Sequence, residues 1–234
     1  HNALIQTHAS ENKDEVKLVR EIIGINNVEY LHKVGLTGRD VILAHCIWID
    51  DYEMEILYRT KTNVAHCPSA NMKLGSGIAR VPEMLERGIN VTIGADGAPC
   101  NNNLDVFTEM RHASLIQKAR LTDPEVLPAD KVLRMATVNG AKALGISDIG
   151  SIRKGSKADL VLISLKDINV NPFTRLHDPY SVIVYSAKAS NVRYTIVNGK
   201  IVVAGGRPKI NLYNLIEKVC DVASKLAEEI FDEN

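Results

Sequence analysis

The stretch ALIQTHASENKDEV, residues 3–16, joins a short apolar run to a polar end made of Thr7, His8, Ser10 and Glu11. Groups of this kind are costly to bury without partners, so a strand that ends in them presents them to something. The same pattern recurs three times. Val41-Ile42-Leu43-Ala44 leads to His45, Thr62-Asn63-Val64-Ala65 to His66, and Asn90-Val91-Thr92-Ile93-Gly94-Ala95 to Asp96. Each run is aliphatic and partly β-branched, the signature of a parallel strand buried on both faces.

Helical periodicity fills the gaps. Residues 11–23 carry Val16, Val19, Ile22 and Ile23 at helical spacing, and residues 50–58 and 78–87 behave alike, the last closed by Gly88 as a C-cap. After Asp96 comes the loop GAPCNNN, then helices predicted over 104–120 and from about Pro128. Alternating strands and helices imply parallel βα units with right-handed crossovers. In such folds chemistry gathers at the carboxyl ends of the strands, where His8, His45, His66 and Asp96 fall. Four units make half of a (β/α)8 barrel. A doubly wound open sheet is the structural alternative, but no GxGxxG phosphate turn follows any of the runs.

Composition narrows the function. Across 234 residues, 45% hydrophobic content supports a sizeable core, and 28 basic side chains balance 28 acidic ones. That neutrality gives no footprint for nucleic acid or an anionic membrane. No apolar run approaches the roughly 18 residues of a membrane span, and no signal-peptide pattern opens the chain. A cytoplasmic protein is expected. Cys46, Cys67, Cys100 and Cys220 form no CxxC pair and read as reduced thiols. The sequence opens on His1 directly before a strand, which suggests a piece of a longer protein.

Past residue 148 the character changes. The segments 149–163 and 192–206 carry short strands, with Asn198-Gly199 as a two-residue hairpin turn. Residues 212–230 form an amphipathic helix whose stripe of Leu215, Val219, Val222, Ala223 and Leu226 is expected to pack against the rest of the protein. The domain reading is therefore a half-barrel over 1–148 and a β-sandwich portion with a terminal helix over 149–234.

THASEN, AHC, AHCPSANMKL, GADGAPCNNNLD and GSIRKGSKADLVLI, in this order, resemble the second half of the metal-dependent amidohydrolases of the nucleoside and base deaminase branch. That branch includes 5'-methylthioadenosine/S-adenosylhomocysteine deaminases, 5'-deoxyadenosine deaminases, guanine deaminases and triazine chlorohydrolases. The resemblance implies a (β/α)8 barrel beside a small β-sandwich, with one divalent metal at the barrel mouth, zinc as a rule and iron as the alternative. By motif match, His8 and Asp96 are metal ligands, and Glu11 is the proton shuttle. His45 contacts the water on the metal or the developing oxyanion, and Asp96 also exchanges protons. His66, Glu11 and Trp48 are the expected substrate contacts, with Lys73 a further entrance residue.

The resemblance also implies hydrolytic loss of ammonia from a purine. GADGAPCNNNLD and LIQKAR stand closer to the adenosine-type enzymes, whereas THASEN is also close to guanine deaminases. A triazine-type hydrolase is the other enzymatic alternative. The family's His-x-His pair on the first barrel strand is absent from this sequence, so two ligands must come from a precursor or companion chain. A homo-oligomer is expected. Bland readings compete: Asp96 as a turn residue before Gly97, Glu11 as a first-turn acid, Asn101 to Asn103 as loop capping, or the whole chain as a catalytically silent half-barrel that binds a partner.

Overall fold

The structure, a computed structural model, describes residues 3–232. It divides into two compact units, one running up to Lys157 and including Leu165–Ala189, the other made of Ala158–Ser164 and the residues from Ser190 onward. These units interleave in sequence, whereas the domain reading places a single boundary between 148 and 149. The strand Leu160–Ile163 within 158–164 pairs with later strands, so this segment groups with the second unit while the one after it groups with the first.

In the first unit, strands β1 (Ile5–Ala9), β2 (Val41–His45), β3 (Asn63–His66) and β4 (Asn90–Ile93) form one parallel sheet in chain order. Between β1 and β2 lie α1 (Lys13–Ile23) and α2 (Asn27–Lys33). After β2 comes α3 (Asp51–Thr60), after β3 come α4 (Pro68–Lys73) and α5 (Val81–Glu86). Beyond β4 follow α6 (Ala98–Asn101), α7 (Val106–Leu121), α8 (Ala129–Ala136), α9 (Val138–Ala143) and the single turn α10 (Pro179–Ser181).

Local chemistry sets the boundaries. Asn12 caps α1 by accepting from the Glu15 backbone N–H, so the helix predicted from Glu11 starts two residues later and leaves Glu11 outside it. Asp50 and Glu53 form a reciprocal capping box at α3. The helix predicted over 78–87 shrinks to Val81–Glu86, with Pro82 in its first turn.

The core follows the pleat. Val41, Leu43, Val64 and Val91 pack with Met54, Leu57, Met84, Met110, Val132 and Met135 from the helices, while Ile42, Ala44 and Ala65 form a smaller cluster with Ala143. Strands β2 and β3 are buried throughout. Among the described residues strand β1 pairs only with β2, and Leu4 and Ile5 stand 43% and 39% exposed, unlike Val41 and Ile42 of β2. Leu18 and Ile22 of α1 are exposed as well.

The second unit is a single antiparallel sheet of β5 (Leu160–Ile163), β6 (Val192–Val197), β7 (Lys200–Ala204) and β8 (Arg207–Pro208), followed by helix α11 (Leu212–Asp232). One sheet is thus what the described residues show of the expected sandwich. Asn198 and Gly199, at φ +48° and +78°, make the hairpin between β6 and β7, the left-handed pair such a turn needs. Leu215, Val219, Val222 and Leu226 are exposed on α11, so the stripe expected to be packed is not covered. Among the described residues, no helix is long and apolar enough to cross a membrane.

Candidate active site

The carboxyl ends of the four strands carry the polar residues singled out from sequence. His8 is the penultimate residue of β1, His45 and His66 are the last of β2 and β3, and Asp96 lies three residues beyond β4. At two of these residues the backbone turns left-handed. His45 takes φ +72° and Asp96 φ +64°, left-handed conformations unusual for residues other than glycine, asparagine and aspartate. The Gly97 N–H donates to Asp96 Oδ1 at 2.6 Å, which holds the turn and leaves Oδ2 to face His45.

One ligand atom from each of His8, His45 and Asp96 falls within 4.8 Å of the others. The His8 and His45 rings stack, with centroids 5.2 Å apart and planes 17° from parallel. His45 Nε2 is 4.0 Å from Asp96 Oδ2 and 3.9 Å from Glu11 Oε2, and it is buried without a hydrogen-bond partner. His45 Nδ1 meets Asn71 Oδ1 at 2.7 Å; an amide oxygen only accepts, so this contact puts the proton on Nδ1 and leaves Nε2 with a free lone pair.

Two nitrogen donors, one carboxylate and an orphaned buried lone pair fit a borderline divalent cation such as zinc. His45, to which the motif match gives contact with water or the oxyanion, thus stands in one cluster with the two ligands that the resemblance implies.

His66 is fully buried and neither ring nitrogen has a partner. Burial first, and then the nearness of the His45 ring, pushes its pKa down to about 4, so it stands neutral at pH 7. Trp48 is about one-third exposed; its indole N–H donates to the Ser76 carbonyl at 2.7 Å and Lys13 Nζ lies 4.5 Å from its ring centre. Lys73 Nζ is engaged with the Pro99 carbonyl at 2.5 Å and with Asn102 Oδ1, which ties α4 to the loop after Asp96. Burial raises the thiol pKa values of Cys46 and Cys67, the latter to about 12, so neither offers a thiolate at neutral pH.

Three supporting residues escaped the sequence reading. Besides Asn71, Ser76 donates from its hydroxyl to Glu11 Oε1 at 3.2 Å. Glu109, fully buried in α7, accepts from the Ser69 N–H at 3.1 Å and from Asn101 Nδ2 at 2.8 Å. Asn101 in turn donates to the Ala95 carbonyl and accepts from the Asn103 and Leu104 N–H groups. Asn101 is thus loop chemistry, but of the loop that carries Asp96. The available signal was the presence of polar residues inside apolar helical patterns.

Comparison with known proteins supplies the family. A family model described as the amidohydrolase family matches residues 1–202. A protein named 5'-deoxyadenosine deaminase from Methanopyrus kandleri is 45% identical over 95% of this chain and 51% of its own length. A protein from Pelotomaculum thermopropionicum named 5-methylthioadenosine/S-adenosylhomocysteine deaminase is 42% identical over 95% of this chain and 50% of its own. The crystal structure of an adenosine deaminase from Xanthomonas campestris with bound zinc superposes with a TM-score of 0.91 at 30% identity, covering 96% of this chain and 51% of the other. The chain spans about half the length of the curated relatives it matches.

Proposed function

The chain belongs to the amidohydrolase family, and from that premise we propose that it forms the second half of a metal-dependent hydrolytic deaminase of adenosine-type purine nucleosides. The candidate substrates are 5'-deoxyadenosine, 5'-methylthioadenosine and S-adenosylhomocysteine, the substrates in the names of its relatives at 42–45% identity. The observation that carries the reading is the convergence of His8, His45 and Asp96 within 4.8 Å, with a Glu11 carboxylate oxygen 3.9 Å from the unpartnered His45 nitrogen.

His8, Asp96 and a His-x-His pair from the remainder of the protein would make the four ligands, and His45 Nε2 would sit beside them, toward the ion in the isolated chain and toward the attacking water in the completed site. A bound divalent ion supplies Lewis acidity that makes water a nucleophile at neutral pH. The protein side of the reaction is acid–base chemistry. Glu11 carries one proton of the attacking water to the ring nitrogen beside the carbon under attack, and Asp96 Oδ2 accepts the other and passes it to departing ammonia. His45 keeps its proton on Nδ1, against Asn71. His66, neutral and with two unpartnered nitrogens, and Trp48, pinned by Ser76 but partly exposed, are the substrate contacts. No covalent intermediate or organic cofactor is needed.

The exposed edge of β1 and the apolar face of α1 at Leu18 and Ile22 suit a further βα unit, which supports closure of a (β/α)8 barrel by the other half. Four free thiols suit a cytoplasmic location. A second enzymatic reading has its own support: guanine deaminase from E. coli and an atrazine chlorohydrolase from Arthrobacter aurescens complexed with zinc superpose with TM-scores of 0.77 and 0.85 at 26% identity.

A panel assay settles the substrate. The completed protein should release ammonia from 5'-modified adenosines in preference to guanine and triazines. Turnover of guanine alone would move it to the second reading, and no turnover of any substrate by the metal-loaded, completed protein would favour a structural half-barrel.

A further inference from the structure

We propose that Ser76 is the positioning residue of Glu11: its hydroxyl occupies Oε1, so that the catalytic proton is carried on Oε2, the oxygen that faces His45 and the metal ligands. The inference rests on the proton-shuttle role of Glu11 given above and adds the group that aims it.

Ser76 is 65 residues from Glu11 in sequence and is held at three points. Its N–H donates to the Asn71 carbonyl at 2.9 Å, its carbonyl accepts from Trp48 Nε1 at 2.7 Å, and its hydroxyl donates to Glu11 Oε1 at 3.2 Å. It is 7% exposed. The loop approaches the turn after β2 so closely that a Cβ on Gly77, at φ +126°, would lie 2.8 Å from Trp48 Cζ2 and 3.0 Å from Ile47 Cγ2. Trp48 and Ile47 are themselves tied to the residue before Glu11, since both of their N–H groups donate to the Ser10 carbonyl, at 3.1 and 3.0 Å. A closed circuit thus runs from Ser10 through Trp48 and Ser76 to Glu11.

The backbone of Glu11 is fixed separately, because Glu15 accepts from the Ser10 and Glu11 N–H groups at 3.0 and 2.7 Å. The Ser76 hydroxyl is the one hydrogen-bond donor within reach of the Glu11 carboxylate among the described residues. This bond suits a shuttle. A carboxylate only accepts, and after protonation on Oε2 the remaining Oε1 is a carbonyl-type oxygen that still accepts. Ser76 therefore donates in both states and never has to turn over.

The test uses the full-length protein, metal-loaded, with Ser76→Ala, Ser76→Thr and each combined with Glu11→Gln. Ser76→Ala should retain its metal and its KM within about twofold while kcat falls about tenfold, the effect of losing one charge-assisted hydrogen bond. Ser76→Thr keeps the hydroxyl and should recover most of kcat. On the Glu11→Gln background, Ser76→Ala should cost nothing further. A crystal structure of Ser76→Ala should show the Glu11 carboxylate displaced. An unchanged kcat, a full additional loss on the Glu11→Gln background, or a Glu11 carboxylate that keeps its place without the hydroxyl would each overturn the proposal. The crystallographic result decides it even if none of the proposed substrates is turned over, a result that would refute only the deaminase reading.

Discussion

Replacing Glu109 with alanine should damage both the stability of the first unit and its hold on metal. The carboxylate is fully buried in α7 and accepts two hydrogen bonds, from the Ser69 N–H at the start of α4 and from the Asn101 side chain in the loop after β4. Removing it strands both donors, each at a cost of about 1–3 kcal/mol. Part of that is offset because a carboxylate no longer has to be buried without a cation beside it. The net expectation is a loss of about 2–4 kcal/mol, read as a fall of about 1 M in the urea midpoint. Asn101 also holds the Ala95 carbonyl, one residue before Asp96, at 2.8 Å. With its second anchor gone the left-handed turn at Asp96 loosens, and metal affinity should drop about 10–100-fold, as losses of ligand-orienting groups commonly produce. Glu109→Gln sharpens the test, since its amide keeps one acceptor and sets a donor against one of the two donors. It should fall between wild type and Glu109→Ala. If Glu109→Ala unfolds at the wild-type midpoint and binds zinc as tightly in calorimetry, the network does not support the site.

Further outcomes follow from the same geometry. Glu11→Gln should retain metal by elemental analysis yet lose about 10²–10⁴-fold in turnover, since an amide carries no proton; full activity would reduce Glu11 to a bystander outside α1. His8→Ala and His45→Ala should both lower metal content, whereas His66→Ala should not, and retention of metal in His45→Ala would return that residue to contacting water. The chain by itself offers three ligands and should release zinc on dialysis against chelator faster than the protein completed with a His-x-His pair, which metal analysis of both forms measures. Burial holds His66 neutral with a pKa of about 4 against about 6.5 in an unfolded chain. The unfolded state therefore binds the extra proton first, and stability present above pH 6.5 should be lost as pH falls toward 4, by up to about 3 kcal/mol, a slope that urea melts of His66→Phe should flatten.

How much of this was legible in the sequence depends on whether the signal was local. The four strands and their polar ends could be read because a buried strand is a short aliphatic run, and a histidine closing one stands out. Helix starts shifted where a cap decides them: Asn12 rather than Glu11 begins α1, which is what frees the Glu11 side chain to reach the strand ends. The helices at 27–33 and 68–73 carry too few apolar positions to show a period, and they form because neighbouring elements cover them. Asn71, Ser76 and Glu109 were hidden for the opposite reason. Each acts through a partner 26, 65 or 40 residues away, and no window of sequence contains both ends of such a bond.

The assignment of His45 shows the same limit within the site itself. Motif matching gives it contact with the water on the metal or the developing oxyanion, a role that says nothing of where its lone pairs are held. In the structure its Nδ1 is committed to Asn71, and its Nε2 is buried with no partner between Glu11 and Asp96. A buried nitrogen acceptor left empty costs free energy that a cation would recover. His8, on the edge strand, is exposed, whereas His45, one strand further in, is buried. Exposure therefore falls across the cluster from the β1 side inward, so groups that complete the metal shell have room to approach over His8 and not over His45. That asymmetry makes His8 the ligand more dependent on the rest of the protein and His45 the one already set in place. In the isolated chain, then, a cobalt titration followed in the visible region should be weakened more by His45→Ala than by His8→Ala, with the order reversing or levelling once the other half is supplied; the reverse order in the isolated chain would place the preformed part of the site on β1 instead.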